Sequence, residues 1–155
     1  MVTDKLNEKY LSRSLDFISS ARLICEHRKP GWLAPACLLV GTACELLAKK
    51  QLLEKGVPND DLKRRPYGHD LQALWKIQTS LYKEAQDISE KLTNSDAFPS
   101  TFELQTHFDA LAHGFGQGSD YSLRYHGGVR TFADPSCLGQ IVEEIARRER
   151  MRVQS

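Results

Sequence analysis

One predicted helix, apolar on almost every side, constrains the fold of this chain most. Pro35 is compatible with an α-helix only in its first turn, so the helix is predicted to begin near Leu33 and to end near Lys55. Residues 36–47 are nearly all apolar or small, and a helix without a polar face is a buried one. Gly41 lies in its middle, where glycine costs about 1 kcal/mol relative to alanine. We therefore expect a neighbouring helix to pack closely against Gly41.

Four other segments have helical periodicity or helix-capping residues: 4–27, 69 or 70 to about 92, 100 to about 114, and 134 onward. The third helix of the chain, from residue 69 or 70 to about 92, carries the cleanest three-four repeat of apolar residues. Ser100 and Glu103 form a capping-box pattern that predicts the start of the fourth helix at Ser100. Asp134 followed by Pro135 predicts the start of the last one. Residues 120–133 lack a helical pattern and are predicted to be extended.

These patterns predict one all-α domain over residues 1–155, an up-and-down bundle of four long helices plus a shorter one. Tyr10 and Phe17 belong to one apolar row of the first helix, and Leu11 and Ile18 belong to an adjoining row. A single neighbour cannot cover both rows, so we expect a homodimer formed through part of the first or last helix.

Composition narrows the classes of partner and compartment. The net charge is +1, so overall charge favours neither a nucleic acid nor a membrane as partner. The longest apolar run, residues 33–40, is far shorter than the ~20 residues that span a bilayer. The four cysteines include no CxxC pair, which predicts free thiols in a reducing cytoplasm, no metal site and no cofactor.

Three local features resemble the HEPN family of small helical bundles. Glu45 and Lys49 stand four residues apart at the end of the apolar run, and Gly68-His69-Asp70-Leu71 opens the third helix. Leu123-Arg124-Tyr125 precedes the last helix and is similar to the Arg-Tyr signature of that family. The resemblance implies an up-and-down bundle that often dimerises. It also implies a role as an RNA-processing toxin, as a nucleotide-binding module, or as partner of a nucleotidyltransferase-fold protein in a toxin–antitoxin pair.

The nuclease members of that family carry an arginine and a histidine separated by four to six residues near the last helix. Arg22 with His27 and Arg64 with His69 match this spacing, but about one match is expected by chance and neither lies near the last helix. Arg124-Tyr125-His126 lies near the last helix with a gap of a single residue. A catalytic site is therefore not predicted. If the protein is a nuclease, the resemblance points to Arg124 with His126 or His69.

The expected ligand-binding residues are Arg124, Tyr125, His126, His69, Glu45 and Lys49. Arginine offers a bidentate phosphate contact and tyrosine can stack on a base or ribose. Each residue also has a structural interpretation. Glu45 and Lys49 could form a simple ion pair, with Glu45 pairing further with His69 or Arg124. Asp70 could cap a helix while the His69 ring packs, and Arg124 and Tyr125 could belong to the core.

The sequence thus favours a HEPN-like binding or interaction module, which binds a nucleotide or RNA or docks a nucleotidyltransferase-fold partner. Two alternatives stay open, a metal-independent ribonuclease and a structural subunit without a ligand.

Overall fold

Five α-helices form the frame of the protein in the computed structural model, which describes residues 2–64, 67–115 and 133–154. They are α1 (Val2–His27), α2 (Leu33–Glu54), α3 (Leu81–Asn94), α4 (Leu104–Phe115) and α5 (Pro135–Gln154). A 3₁₀ helix at Asp61–Lys63 and a π-helical turn at Ala73–Ile77 lie between α2 and α3. The described residues contain no strand, and helices cover more than half of the chain, which confirms the all-α class.

Helix α2 is the central element, as predicted. Helices α1, α4 and α5 and the π-helical turn all pack against it. Ala43 and Leu47 are buried as expected, whereas Leu38 and Leu39 are only half-buried and pack at the edge of the core. The buried part of α2 continues beyond the apolar run through Leu53, so it includes several polar and charged residues.

Helix α4 contacts α2 closely at Gly41. A Cβ atom built on Gly41 would lie 2.6 Å from Cδ2 of Phe115, the last residue of α4. Real Cβ atoms do not come so close to a ring carbon, so only glycine accommodates the aromatic side chain here. The expectation of a close neighbour at Gly41 is confirmed.

The predicted third helix is not continuous, and this prediction was wrong. The backbone forms a π-helical turn over Ala73–Ile77 and bends at residues 78–80 before α3 begins at Leu81. The buried Thr79 hydroxyl donates to the carbonyl of Leu74 at 2.7 Å and accepts from the amide of Leu81 at 3.3 Å. Thr79 thereby replaces backbone hydrogen bonds that an unbroken helix would make. The apolar stripe still faces the core on both sides of the break.

The two predicted helix starts after α3 had different outcomes. The predicted start at Ser100 is wrong, since α4 begins only at Leu104. The Glu103 carboxylate accepts from the Thr106 hydroxyl, and the Phe102 ring stacks on His107 with ring centroids 4.7 Å apart. At α5 the prediction is confirmed. The Asp134 carboxylate accepts hydrogen bonds from the amides of Ser136 and Cys137 at 2.9 and 3.0 Å.

Both apolar rows of α1 pack within the chain. Leu11 and Ile18 are buried, and Tyr10 and Phe17 are half-buried against the same core, because α2 and α5 both contact this helix. Neither apolar row is left uncovered, so the expected reason for a homodimer is wrong, and dimerisation stays a prediction. No helix within the described residues is long and apolar enough to cross a membrane.

Candidate functional site

Glu45 joins two elements of the fold at one side of α2. Its carboxylate accepts a hydrogen bond from Lys49 Nζ at 2.6 Å, one helical turn further along α2. The other carboxylate oxygen lies 2.8 Å from Nδ1 of His69, which precedes the π-helical turn. The pairing of Glu45 with Lys49 and with His69, which the sequence raised as a possibility, is thus present. These three residues are called the Glu45 cluster below.

Local structure explains how His69 reaches this position. Gly68 adopts a positive φ of 32°, which turns the chain just before the histidine. Asp70 then caps the following turn, since its carboxylate accepts from the amide of Ala73 at 3.2 Å. The Trp75 indole donates to the carbonyl of Cys44 at 2.8 Å and so anchors this turn beside Glu45. The predicted cap at Asp70 is confirmed.

Burial differs sharply within the Glu45 cluster. Glu45 and Lys49 are buried, whereas the His69 side chain is 43% exposed. The Phe115 ring and the imidazole form an edge-to-face contact with ring centroids 6.4 Å apart. Because an ionised carboxylate only accepts hydrogen bonds, His69 Nδ1 carries the hydrogen and Nε2 does not face Glu45. The second ring nitrogen is therefore the atom through which this cluster can meet a ligand.

Tyr10 of α1 is a further neighbour that the sequence did not associate with this site. Its hydroxyl donates to Oδ1 of Asn59 at 2.6 Å. Burial raises the pKa of Tyr10, and the negative charge of Glu45 raises it further. The phenol is thus held neutral as a hydrogen-bond donor, and it ties α1 to the segment after α2.

Arg124, Tyr125 and His126 lie outside the described residues, so their predicted proximity to Glu45, Lys49 and His69 stays a prediction. Of the two arginine–histidine pairs with nuclease-like spacing, Arg22 forms an ion pair with Glu143 of α5, and His27 lies exposed at the end of α1. Within the described ranges no arginine forms an ion pair with Glu45.

A second buried ion cluster on α2 was missed by the sequence analysis. Lys50 Nζ contacts Glu54 and lies 2.9 Å from Glu149 of α5, whose carboxylate also accepts from Gln51 and from Arg152. The Lys50 side chain is 1% exposed and that of Glu149 is 4% exposed. These residues are called the Lys50 cluster. Glu149 is thus buried although it lies in the charged run 147–152 at the end of α5.

The charges of Lys50 and Glu149 compensate each other. Burial alone would lower the pKa of Lys50, but the hydrogen bonds that it donates to Glu54 and Glu149 outweigh this effect and raise the pKa. Burial alone would raise the pKa of Glu149, but the hydrogen bond and charge of Lys50 hold it below its usual range. Both groups therefore stay charged, and each satisfies the other.

The cysteines behave as predicted, being free and largely buried. Burial raises the pKa of Cys37 and of Cys137 to about 12, so neither thiol is a nucleophile near neutral pH. The described part of the chain brings no three His, Cys, Asp or Glu side chains together in a group that could hold a metal ion.

Comparisons with known proteins add no relative to this description. No protein-family model matches the chain, and neither a curated protein nor a solved structure matches it significantly. The case for a function therefore rests on the residues of the Glu45 cluster and on the sequence.

Proposed function

We propose that this protein is a HEPN-like helical module that binds an anionic ligand, a nucleotide or RNA, at the Glu45 cluster. The observation that carries the proposal is the buried Glu45 carboxylate that orients a half-exposed His69. The family resemblance also implies a nucleotidyltransferase-fold partner, and in this proposal that partner docks on the same surface.

The arrangement exceeds what a structural ion pair requires. Lys49 alone would neutralise Glu45, since the two lie 2.6 Å apart within one helix. The third member comes from a different element, and its ring is presented to solvent by the carboxylate behind it. A protonated imidazole would give the trio a net positive charge, and Nε2 would then donate to a phosphate oxygen.

The sequence supplies the remaining roles in this proposal. Arg124 would make the bidentate phosphate contact, Tyr125 would stack on a base or ribose, and His126 would add a second imidazole. These three roles rest on the sequence alone. The proposed assembly is a homodimer, which light scattering tests against the chain mass of 17.6 kDa.

A thermal-shift and anisotropy screen with nucleotides and short RNAs tests the binding proposal. A ligand at 100 times its dissociation constant should stabilise the wild type by about 2.7 kcal/mol. His69→Gln should remove this stabilisation. His27→Gln changes the exposed histidine of the other arginine–histidine pair and should leave the stabilisation unchanged. Arg124→Ala should also abolish binding with the helical circular dichroism signal intact. If Arg124→Ala unfolds the protein, Arg124 is a core ion-pair residue. If no nucleotide or RNA binds, the proposal fails.

Metal-independent RNA cleavage is the second candidate, because a carboxylate-held imidazole is also the arrangement of a general acid or base. His69, or His126 with Arg124, would then act on the ribose 2′-hydroxyl and the phosphate. Cleavage of a labelled RNA in the presence of a chelator, lost in His69→Gln or His126→Ala, would favour catalysis over binding. Binding without cleavage would favour the module.

A further inference from the structure

A groove on another side of the molecule shares no residue with the Glu45 cluster. It has a volume of about 810 Å³ and lies between α1 and α3, with α5 as its floor. Helices α1 and α3 both pack against α5 but make no substantial contact with each other. Two walls and a floor of helix thus leave a channel along the surface of the bundle.

The size of the groove fits one more helix. Along α1 it extends from Ile18 to Arg28, which at 1.5 Å per residue is about 15 Å, or roughly three helical turns of a guest. Ala21 and Ile88 are buried beneath the groove, and the half-buried Cys25 and Leu92 supply its accessible apolar surface. Helices that dock in grooves do so through an apolar face of this length.

The charges in the groove are mixed but have a basic excess. Among the described residues that line the groove, eight of 17 are charged, five of them cationic and three anionic. Three of the five arginines and lysines, Arg22, Arg147 and Arg148, form ion pairs with glutamates of α5. Arg28 and Lys91 are exposed and form no ion pair within the described residues. Arg28 Nε donates to the carbonyl of Cys25, and its guanidinium lies over the Trp32 ring without a carboxylate partner there.

We propose that an acidic, amphipathic α-helix of a partner protein docks in this groove. Its carboxylates would meet Arg28 and Lys91, and its apolar face would lie on Leu92 and Cys25. Nucleic acid fits less well, since Glu26, Glu143 and Glu144 also line the groove and would repel phosphates. An acyl chain fits less well too, because nearly half of the lining residues are charged. The inference does not depend on the proposed function of the Glu45 cluster.

Fluorescence anisotropy with a designed peptide tests this inference. The probe is a fluorescein-labelled amphipathic peptide of about 14 residues, with leucines on one face and glutamates on the other. Its counterpart carries lysine at each glutamate position. The wild type should bind the acidic peptide and not the basic one. The double variant Arg28→Glu/Lys91→Glu should weaken binding by about tenfold or more, and by less at high salt.

Two further variants separate the groove from general electrostatics. Lys9→Glu/Lys83→Glu makes the same change of charge on exposed positions of α1 and α3 outside the groove, and its affinity should stay within about twofold of the wild type. Gln140→Trp places a bulky side chain on the floor and should block the peptide while helical circular dichroism is unchanged.

Several outcomes would overturn the inference. They are equal weakening by both double variants, equal binding of the basic peptide, and no binding of the acidic peptide. If a labelled RNA binds and Arg28→Glu/Lys91→Glu alone loses it, the groove is a nucleic-acid site. If the wild type is a dimer that this variant dissociates, the occupant is a second copy of the chain. Retained ligand binding at the Glu45 cluster in any of these cases leaves the proposed function standing.

Discussion

Lys49 and Lys50 are adjacent on α2 but belong to two ion clusters that differ in their access to solvent. Lys50 meets two glutamates, and its contact with Glu149 of α5 is almost wholly buried, while Glu54 and Arg152 at the edge of the cluster are exposed. Lys49 meets Glu45, whose second partner is the half-exposed His69. The central Lys50–Glu149 pair is closed to solvent, whereas the buried Glu45 carboxylate is linked to solvent through an imidazole, and the two clusters are called closed and open for this reason. The difference indicates that burial of charge serves stability in the first case and presentation of a side chain in the second.

Helix geometry explains why neighbours in sequence have such different surroundings. Successive residues of an α-helix are rotated by about 100°, so Lys49 and Lys50 leave α2 in different directions. Lys50 points towards α5 and finds Glu149, while Lys49 lies beside Glu45 and the segment of His69. The predictions below test whether the closed and open clusters have these separate roles.

The largest effect is expected from Lys50→Met. It leaves Glu149 buried with its main cationic partner removed, which should cost about 3 kcal/mol of unfolding free energy. Urea denaturation followed by circular dichroism measures it. The double variant Lys50→Met/Glu149→Met removes both charges and should recover most of the loss, since an apolar pair can replace a buried ion pair.

A matched control for this prediction is Arg147→Met. Arg147 also pairs with glutamates, but its side chain is 61% exposed, so the loss should be below about 0.5 kcal/mol. A loss for Lys50→Met as small as that of Arg147→Met would show that the closed cluster does not stabilise the fold.

The second prediction concerns the packing of Phe115 next to His69 of the Glu45 cluster. Gly41→Ala should destabilise the protein by about 1 kcal/mol, because the fully buried Phe115 ring must shift, which outweighs the gain in helix propensity. Since Phe115 packs on His69, ligand binding should weaken as well. Gly139→Ala is the control: its new Cβ would lie 3.8 Å from Val40, so the substitution should stabilise by up to about 1 kcal/mol. Equal effects of the two changes would contradict the close approach at Gly41.

Gly41 also shows what the sequence could predict of the fold. Its position inside an apolar helix correctly indicated a close neighbour, and the cap at Asp134 could be identified because it depends on adjacent residues. The break before α3 could not be predicted, since it depends on whether the Thr79 hydroxyl bonds to the backbone or to solvent. Local patterns predict local structure, whereas a single hydroxyl in a buried position can change it.

The candidate site was predictable to a similar extent. A glutamate after an apolar run suggested the buried Glu45, and its pairing with His69 was raised from the sequence. The Lys50 cluster was missed because Lys50 and Glu149 stand 99 residues apart. A signal existed: Glu149 follows Ile145 by four residues and so continues the buried stripe of α5.

The third prediction concerns the pH dependence of the stabilisation that Glu149 provides. Its pKa is lowered in the folded protein, so its stabilisation is fully present above the ordinary carboxyl pKa and is lost as pH falls through the lowered value. The difference in unfolding free energy between the wild type and Glu149→Gln should therefore be constant from about pH 5.5 to 8. Below about pH 4.3 it should shrink by at most ~1.4 kcal/mol per pH unit. A difference that grows towards acid pH would contradict the ion pair with Lys50.

The smallest effect on stability is expected from His69→Gln, and this expectation distinguishes the two clusters most directly. The imidazole is 43% exposed, and the glutamine amide can still donate to Glu45, which keeps Lys49 as partner. Unfolding free energy should thus change by less than about 1 kcal/mol. If the open cluster exists to present His69, the same variant loses nucleotide or RNA binding despite its near-native stability. A loss close to that of Lys50→Met would instead make His69 part of the structural core. The two clusters would then have the same role, and the burial of Glu45 would no longer support a ligand site.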